Sequence, residues 1–422
     1  MVSGTTVVIG GGIVGLASAY ELATAGHQVH VLDRASLGKG SSGGNAGWVT
    51  LAHCYPVPSP GAVRAALRSA GHVDAPLYVR PSVSPRLLRW LYEFQKHCRP
   101  AAFARGAAAL SALAEPTDKL FDAWQRDGID TTLTRPGLVH AFLDQDEAGR
   151  TLDLQRSLAT GLHQVPDAPL TGPAIQRLEP SLGDRVRAAY VIEEEGLVNP
   201  SQLIGSLAAR LVELGVVISE RSTVTAFRVE NDRVRAVEVD GQPLHCGNVV
   251  IAGGTWSADV LAKLGVRVRM QSGKGYSFAV DLPVPPSHPM YLGEKHVAVS
   301  PMAGLTRIAG TMEFSGDNRH LDWRRVEAIA RASREYLGQW FETPDDLVDL
   351  IDNPWVGGRP MLPDGLPLID RVPHLDNAYV ATAHAMLGVT LAPATAAALS
   401  DFIVTGARPA VLAPFGFTRG AP

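Results

Sequence analysis

Val7 to Ile9 form a β-branched run that reads as a short buried parallel strand. Apolar positions then recur at helical spacing from Ile13 to Ala25, and Gly26 stops the helix. A second strand passes through Val29 and Val31 and ends at Asp33. Residues 203–241 predict a helix, a stop at Gly215, a strand and then a hairpin of alternating residues. Val249 to Ala252 is another apolar strand, followed by Gly253, Gly254 and a helix. From Lys274 to Gly316 the alternation predicts the strands of a sheet, with His296 on one of them. Between these regions lies a helix-rich stretch. There "PRLLRWLYEFQKHCRP" sets Leu87, Leu88, Leu91 and Phe94 on one helical face and Arg86, Arg89, Lys96 and Arg99 elsewhere. Such a helix either packs its apolar face on the core or lies on a membrane surface.

The first strand–helix–strand unit encloses Gly10, Gly12 and Gly15 in G-x-G-x-x-G register. Gly10 permits the tight turn, Gly12 lets backbone approach a pyrophosphate, and Gly15 lets helix and strand pack closely. The helix start at Ile13 and Val14 offers free N–H groups and a partial positive charge to phosphates. Asp33 can accept ribose hydroxyls, with Arg34 beside it. Strand, glycines, helix, second strand and terminal acid together predict dinucleotide binding; the alternative is a glycine-rich turn of another α/β fold.

A nicotinamide domain would continue into a third strand. This chain runs instead into "SLGKGSSGGNAGWVT". Ser41, Ser42 and Asn45 supply hydrogen bonds, while Gly43, Gly44, Ala46 and Gly47 let the loop lie close to an extended ligand. The segment is either a flexible surface loop or the path of an FAD tail. Much later, "GRPMLPDGLPLID" carries three prolines and two glycines, which predict a stiff, turn-rich loop holding Arg359. That cation serves a structural salt bridge, with Asp364 or Asp370 nearby, or grips an anionic ligand.

Composition narrows the classes. A chain of 422 residues, 46% hydrophobic and 19% charged, is ordinary for a globular protein of two domains or one large domain. Net charge of −4 gives no reason to expect nucleic acid. Cys54, Cys98 and Cys246 stand far apart, so neither a disulfide framework nor a zinc site is expected, and a reducing compartment suits them. No metal-ligand spacing and no Ser/His/Asp constellation stands out. No Lys or Arg precedes Arg34, so no signal peptide is expected, and no run of about 20 apolar residues predicts a transmembrane helix. The expectation is a cytoplasmic protein, with room for peripheral attachment to the inner membrane.

Five stretches carry a family resemblance: "VVIGGGIVGLASAYELATAGHQVHVLDR", "SSGGNAGWVT", "GKGYSF", "GRPMLPDGLPLID" and "AHAMLGVTLAPATAAALSDFI". They resemble FAD-dependent amine and amino-acid oxidoreductases of the D-amino-acid oxidase superfamily, bacterial D-amino-acid dehydrogenases above all. The resemblance implies an α/β fold: a discontinuous Rossmann-type FAD-binding domain, and a second α+β substrate domain built on a mixed or antiparallel sheet. The first would comprise residues 1–60, 195–265 and 350–422, the second 61–194 and 266–349. It implies noncovalent FAD, there being no Cys in the C-terminal third. It also implies that Val224, Gly253, Trp256, Leu387, Gly388, Val389 and Thr390 contact FAD. Arg359 would bind the substrate carboxylate beside the flavin, with Tyr276 adding a hydroxyl or ring wall and Lys274 on the same strand face.

The implied reaction is oxidation of a D-amino acid by hydride transfer to flavin N5, giving an imino acid that water converts to a 2-oxo acid and ammonia. Electrons would pass to a quinone or other carrier. Oxidation of a secondary amine such as hydroxyproline, proline or sarcosine is the near alternative. A nicotinamide dehydrogenase and a non-catalytic flavoprotein are the distant ones. Relatives commonly have glycines where this chain has Ala383 and Ala385, on either side of His384.

Overall fold

The structure is a computed structural model that describes residues 4–64, 75, 77–79, 84–159, 161–302, 304–316, 318–338, 340, 341, 343 and 346–419. Stretches 65–74 and 81–83 of the predicted substrate domain lie outside the described residues. In chain order the strands are β1 (Thr6–Ile9), β2 (Val29–Leu32), β3 (Trp48–Val49), β4 (Leu77–Val79), β5 (Leu138–Phe142), β6 (Ala188–Ile192), β7 (Gly196–Leu197), β8 (Val217–Ser219) and β9 (Val224–Glu230). They continue as β10 (Arg233–Val239), β11 (Gln242–His245), β12 (Asn248–Ile251), β13 (Gln271–Val280), β14 (Met290–Leu292), β15 (Val297–Met302), β16 (Leu305–Phe314), β17 (Ile351–Met361), β18 (Leu368–Arg371) and β19 (Ala378–Thr382). The helices are α1 (Ile13–Thr24), α2 (Pro85–His97), α3 (Pro100–Ala114), α4 (Thr117–Arg126), α5 (Gln145–Leu158), α6 (Pro173–Leu178), α7 (Pro200–Glu213), α8 (Ser257–Lys263), α9 (Trp323–Leu337), α10 (Asp346–Leu350) and α11 (Gly388–Thr405).

One sheet runs β18-β19-β12-β1-β2-β8 and is parallel except for β18 against β19. Its central strands are β-branched because both faces are covered. Val8 and Val31 pack with α1, α7 and α11 on one side. Val7, Ile9, Val249 and Ile251 pack on the other with α8 and the small β9–β11 sheet. By length and composition α11 is apolar enough to cross a membrane, but it is mostly buried and packs on α1, α3 and α4. Core packing explains its apolarity.

The second sheet runs β17-β13-β16-β15-β14-β5-β6, with β4 on β16. It is mixed: β5 on β14 and β4 on β16 are parallel, and its other pairs are antiparallel. Helix α9 covers one face through Val326, Ile329 and Tyr336, which meet Tyr276, Phe278 and Ile308. The opposite face meets the glycine-rich loop of the first domain.

Several expectations are corrected here. Arg359 lies in an eleven-residue strand, β17, and the turns begin only after Met361. β17 tolerates Pro354 and Pro360 because it is the edge strand, where a missing N–H costs no ladder bond. It pairs with β13, so residues 351–361 extend the second sheet, not the first domain. Helices α3 and α4 bury Leu110, Leu113, Phe121 and Trp124 in the first domain's core, although they fall within 61–194. Helix α2 turns Leu87, Leu91 and Phe94 inward as expected and adds Trp90, but it leaves Leu88 54% exposed, off the buried stripe. His296 lies in the turn between β14 and β15, at φ 50. The chain after Pro409, which its end position predicts to be weakly structured, is anchored: Leu412 and Phe415 are fully buried, and Arg419 pairs with Asp364 at 2.8 Å.

Candidate functional site

β1 delivers the chain into a turn that only glycine can make. Gly10 sits at φ 122, and a β-carbon there would stand 2.4 Å from the Ala252 carbonyl oxygen. A β-carbon on Gly15 would stand 1.8 Å from the Gly10 oxygen, which is the close helix–strand approach expected of that glycine. Gly12 is the extended N-cap of α1. The N–H of Ile13, in the first helical turn, donates to Ser42 Oγ at 3.1 Å. An oxygen on that N–H is the chemistry a phosphate brings to a helix start. Beside it, Ile13, Ser42, Pro200, Leu203, Ile204 and Val389 pack closely together.

Asp33 closes the turn by accepting the N–H groups of Gly11 and Ala35, both at 2.7 Å. Its carbonyl oxygen accepts Ser222 N–H at 2.8 Å, which brings the start of β9 at Val224 to the end of β2. Arg34 lies over the Trp256 indole at 4.0 Å from the ring centroid, and Arg319 lies on the same ring at 4.7 Å. Gly253 and Trp256 thus stand beside the acid at the end of β2. These glycines, helix start and acid fit the diphosphate and ribose of a dinucleotide.

The loop from Ser41 to Gly47 runs from this cradle across the second sheet. Ser41 Oγ donates to the Gly358 carbonyl, and Ser277 Oγ donates to the Gly44 carbonyl at 2.9 Å. Arg307 Nη1 donates to the Asn45 carbonyl at 2.8 Å, and Asn45 Oδ1 accepts Gly47 N–H at 2.7 Å. Ala46 lies between them. Gly47 is at φ 83, with a virtual β-carbon 2.2 Å from the Val198 oxygen. The loop is therefore tied down, not flexible.

Leu387 caps α11, and Gly388, Val389 and Thr390 form its first turn. Thr390 Oγ1 donates to the Trp48 carbonyl at 3.3 Å and accepts Thr50 N–H at 3.1 Å. Ala385 N–H donates to the Pro360 carbonyl at 3.0 Å, which joins this loop to the strand of Arg359. His384 is buried and hydrogen-bonds Thr395 Oγ1 at 3.0 Å. Burial lowers its pKa to about 3, so it is a neutral structural group.

Arg359 folds back over β13. Its Nη1 donates to the Thr311 carbonyl at 2.6 Å and stands 3.9 Å from Met312 Sδ. Thr311 is a β-branched residue at φ 64, an uncommon backbone for such a side chain. Among the described residues no carboxylate pairs with Arg359, and none accepts a hydrogen bond from its Nη2 or Nε. Asp364 is taken by Arg419 and Asp370 by Arg408, so neither is its partner. Burial lowers the Arg359 pKa to about 10, which leaves it a cation at neutral pH.

Tyr276 is not beside Arg359. It faces α9, fully buried, and its hydroxyl donates to Glu313 at 2.8 Å. Lys274 shares that face, 3.5 Å from Glu313 and bonded to Asn318 and the His320 carbonyl. The neighbouring Ser277 takes the side that meets the glycine-rich loop instead. Sequence reasoning missed Trp355, whose ring packs on Gly44 and Gly357. The available signal was period two: Trp355, Gly357 and Arg359 share one strand face.

Comparison with known proteins adds to this geometry. The family model described as FAD dependent oxidoreductase matches residues 5–402. A D-amino acid dehydrogenase of Cereibacter sphaeroides is 31% identical over 408 residues, covering 94% of this chain and 91% of that one. One from Xanthobacter autotrophicus is also 31% identical, covering 94% of each chain. Among solved structures, glycine oxidase from Geobacillus kaustophilus superposes with a TM-score of 0.74 at 24% identity, covering 99% of both chains. Iminodiacetate oxidase from Chelativorans sp. BNC1 does so at 0.73 and 19%, covering 98% of both.

Proposed function

The chain belongs to the FAD dependent oxidoreductase family, and from that premise we propose that it oxidises a D-amino acid to the 2-oxo acid and ammonia through an imino acid. The observation that carries this reading is Arg359, a cation held on the cofactor-facing side of β17 with donors left over after Thr311 is served. FAD, bound noncovalently, supplies the acceptor for the hydride that leaves the substrate carbon.

The chain's own part is positional. A guanidinium fork matches a carboxylate with two parallel hydrogen bonds and so fixes the substrate's orientation. Holding the reacting carbon in place replaces a bimolecular encounter with a unimolecular one. The first turn of α11, at Gly388 to Thr390, presents its positive end to developing negative charge. The name D-amino acid dehydrogenase borne by the matched relatives supports the D hand and transfer of electrons to a quinone or other carrier. The outer face of α2, with Leu88 and Tyr92 exposed among Arg86, Arg89 and Lys96, is where we place peripheral membrane contact.

The test is anaerobic mixing of the yellow holoprotein with matched D- and L-amino acids, proline, hydroxyproline and sarcosine. Bleaching by the D series alone is expected. In Arg359→Lys the half-saturating concentration rises about tenfold or more, since one charge-assisted hydrogen bond is worth roughly 1.5–3 kcal/mol, with FAD content unchanged. Equal bleaching by L-amino acids, or unaltered saturation in Arg359→Lys, overturns the reading. Bleaching by the secondary amines alone moves it to that class.

A further inference from the structure

We propose that the substrate's side chain is received by a box of aromatic and imidazole rings built around His140, and that this box selects an uncharged, hydrogen-bonding side chain of about carboxamide size. The proposal rests on the amino-acid oxidoreductase reading and narrows its substrate.

Strand register sets Trp355, Ser277, Ala309, Ala298, Tyr291 and His140 side by side across the second sheet, on one face. Ser277 bonds the glycine loop, so this is the cofactor-facing side. The Arg359 guanidinium already reaches β16 through Thr311. From β16 to β14 is two strand spacings, roughly 10 Å. The intervening positions are alanines, Ala309 and Ala298, so the row is low between Arg359 and Tyr291. An amino acid with four or five heavy atoms beyond its α-carbon spans that interval.

At the far end His140 is fully buried, and among the described residues neither of its ring nitrogens has a partner. Its faces are taken: His53 stacks on one side, centroids 5.1 Å apart, and Tyr190 on the other at 4.6 Å. Tyr291 stands edge-on to both histidines at 5.5 Å. Only the edge carrying the nitrogens remains to be satisfied, and buried polar edges in native proteins find partners. His53 follows Thr50, whose N–H bonds Thr390 in the first turn of α11, so the box is fastened to the cofactor side.

Charge decides the class of ligand. Burial lowers the His53 pKa to about 4 and holds His140 well below its usual value, so both rings are neutral at pH 7. Among the described residues no Lys or Arg hydrogen-bonds or ion-pairs with His53, His140 or Tyr291, and the Tyr291 hydroxyl is taken by His296 Nδ1. One oxygen of Glu195 accepts the Leu51 and Ala52 N–H groups, and burial raises its pKa to about 7, so it is no fixed anion. Glu294 is bound by the Leu143 and Asp144 N–H groups and the Tyr336 hydroxyl, beyond Tyr291. A charged side chain would thus be buried unpaired, at high cost. A neutral imidazole has one N–H and one lone pair pointing apart, and a carboxamide, being both donor and acceptor, serves whichever of them faces it.

The experiment compares kcat/KM of the holoenzyme for D-glutamine, D-glutamate, D-lysine and D-norleucine, with D-alanine, too short to reach the box, as the control. D-Glutamine should lead each of the others by about tenfold or more. His140→Phe keeps the stacking ring and should lower the glutamine-to-norleucine ratio about tenfold, with D-alanine turnover and FAD content unchanged. His140→Gln restores a donor and an acceptor and should recover part of the ratio. An unmoved ratio in His140→Phe with normal D-alanine oxidation overturns the inference and leaves the amino-acid reading standing, as does preference for glutamate or lysine. If no amino acid bleaches the wild-type flavin, the amino-acid reading itself falls and takes this inference with it.

Discussion

The Arg359 guanidinium lies directly across Gly275, so that a β-carbon on Gly275 would stand 2.3 Å from Nη2. The glycine is what lets the arginine lie flat on β13 and reach the Thr311 carbonyl. Gly275→Ala should push the fork off its place without touching charge or cofactor. We expect KM for the amino acid to rise about tenfold or more in steady-state kinetics, with FAD content unchanged, as loss of one charge-assisted hydrogen bond would give. A variant with wild-type KM would show that the fork's position there is immaterial to substrate.

Ala383 and Ala385 both adopt left-handed backbone, at φ 62 and φ 48. Such a conformation costs an L-residue roughly 1–2 kcal/mol, and replacing Ala by Gly returns about 0.4–1 of that to the unfolded chain's entropy. Burial separates the two sites. Ala383 is fully buried, and losing its methyl forfeits a further ~0.8 kcal/mol. Ala385 is only partly buried. Ala385→Gly should therefore raise stability by about 0.5 kcal/mol, while Ala383→Gly should be neutral or slightly destabilising. Urea unfolding of the two variants beside the parent checks the ordering, and a reversed order refutes it.

The first domain was legible because its signals are local. Val7 to Asp33 hold strand, glycines, helix and acid in one window, and the structure places each as that pattern requires. The site's other half is assembled by sheet register across long sequence separations, which periodicity does not report. Gly275 and Arg359 meet only because β13 pairs with β17. Tyr276 is placed by the same register: alternation says that it and Ser277 face opposite ways, but not which one meets the glycine-rich loop. The prolines of β17 argue against a central strand, and its position at the sheet's edge removes that objection.

Glu195 gives a stability signature in pH. It is 1% exposed, and burial raises its pKa to about 7 against an unfolded value near 4.5. Between those values the folded state holds a proton that the unfolded state has released, so stability falls as pH rises from about 4.5 to 7. The loss approaches roughly 3 kcal/mol at most. His53, lowered to about 4, acts in the opposite sense below pH 6.5, so comparison with a variant isolates the carboxyl. Glu195→Gln keeps an acceptor for the Leu51 and Ala52 N–H groups. The stability difference, variant minus parent, should grow with pH between 5 and 7 in urea titrations and level off above that. A difference independent of pH would show that Glu195 is ionised throughout.

The Trp355 ring occupies the space above Gly44, with a virtual β-carbon there only 2.1 Å from the indole. It crowds Gly357, its own strand neighbour, in the same way, at 2.0 Å. The indole thus fills the gap between β17 and the loop, whose carbonyl at Gly44 is held by Ser277. Two predictions are coupled through this contact. Gly44→Ala should displace the loop and weaken FAD retention, and Trp355→Ala should remove the wall against which the loop packs. If the indole is what makes Gly44 obligatory, adding Gly44→Ala to Trp355→Ala should cost far less than adding it to the parent. The coupling energy should be on the order of 1–3 kcal/mol, the range for residues in direct contact. Fluorescence titration of the deflavinated proteins with FAD measures all four corners of the cycle. Additive costs would mean that Gly44 is required by the cofactor itself, and not by Trp355.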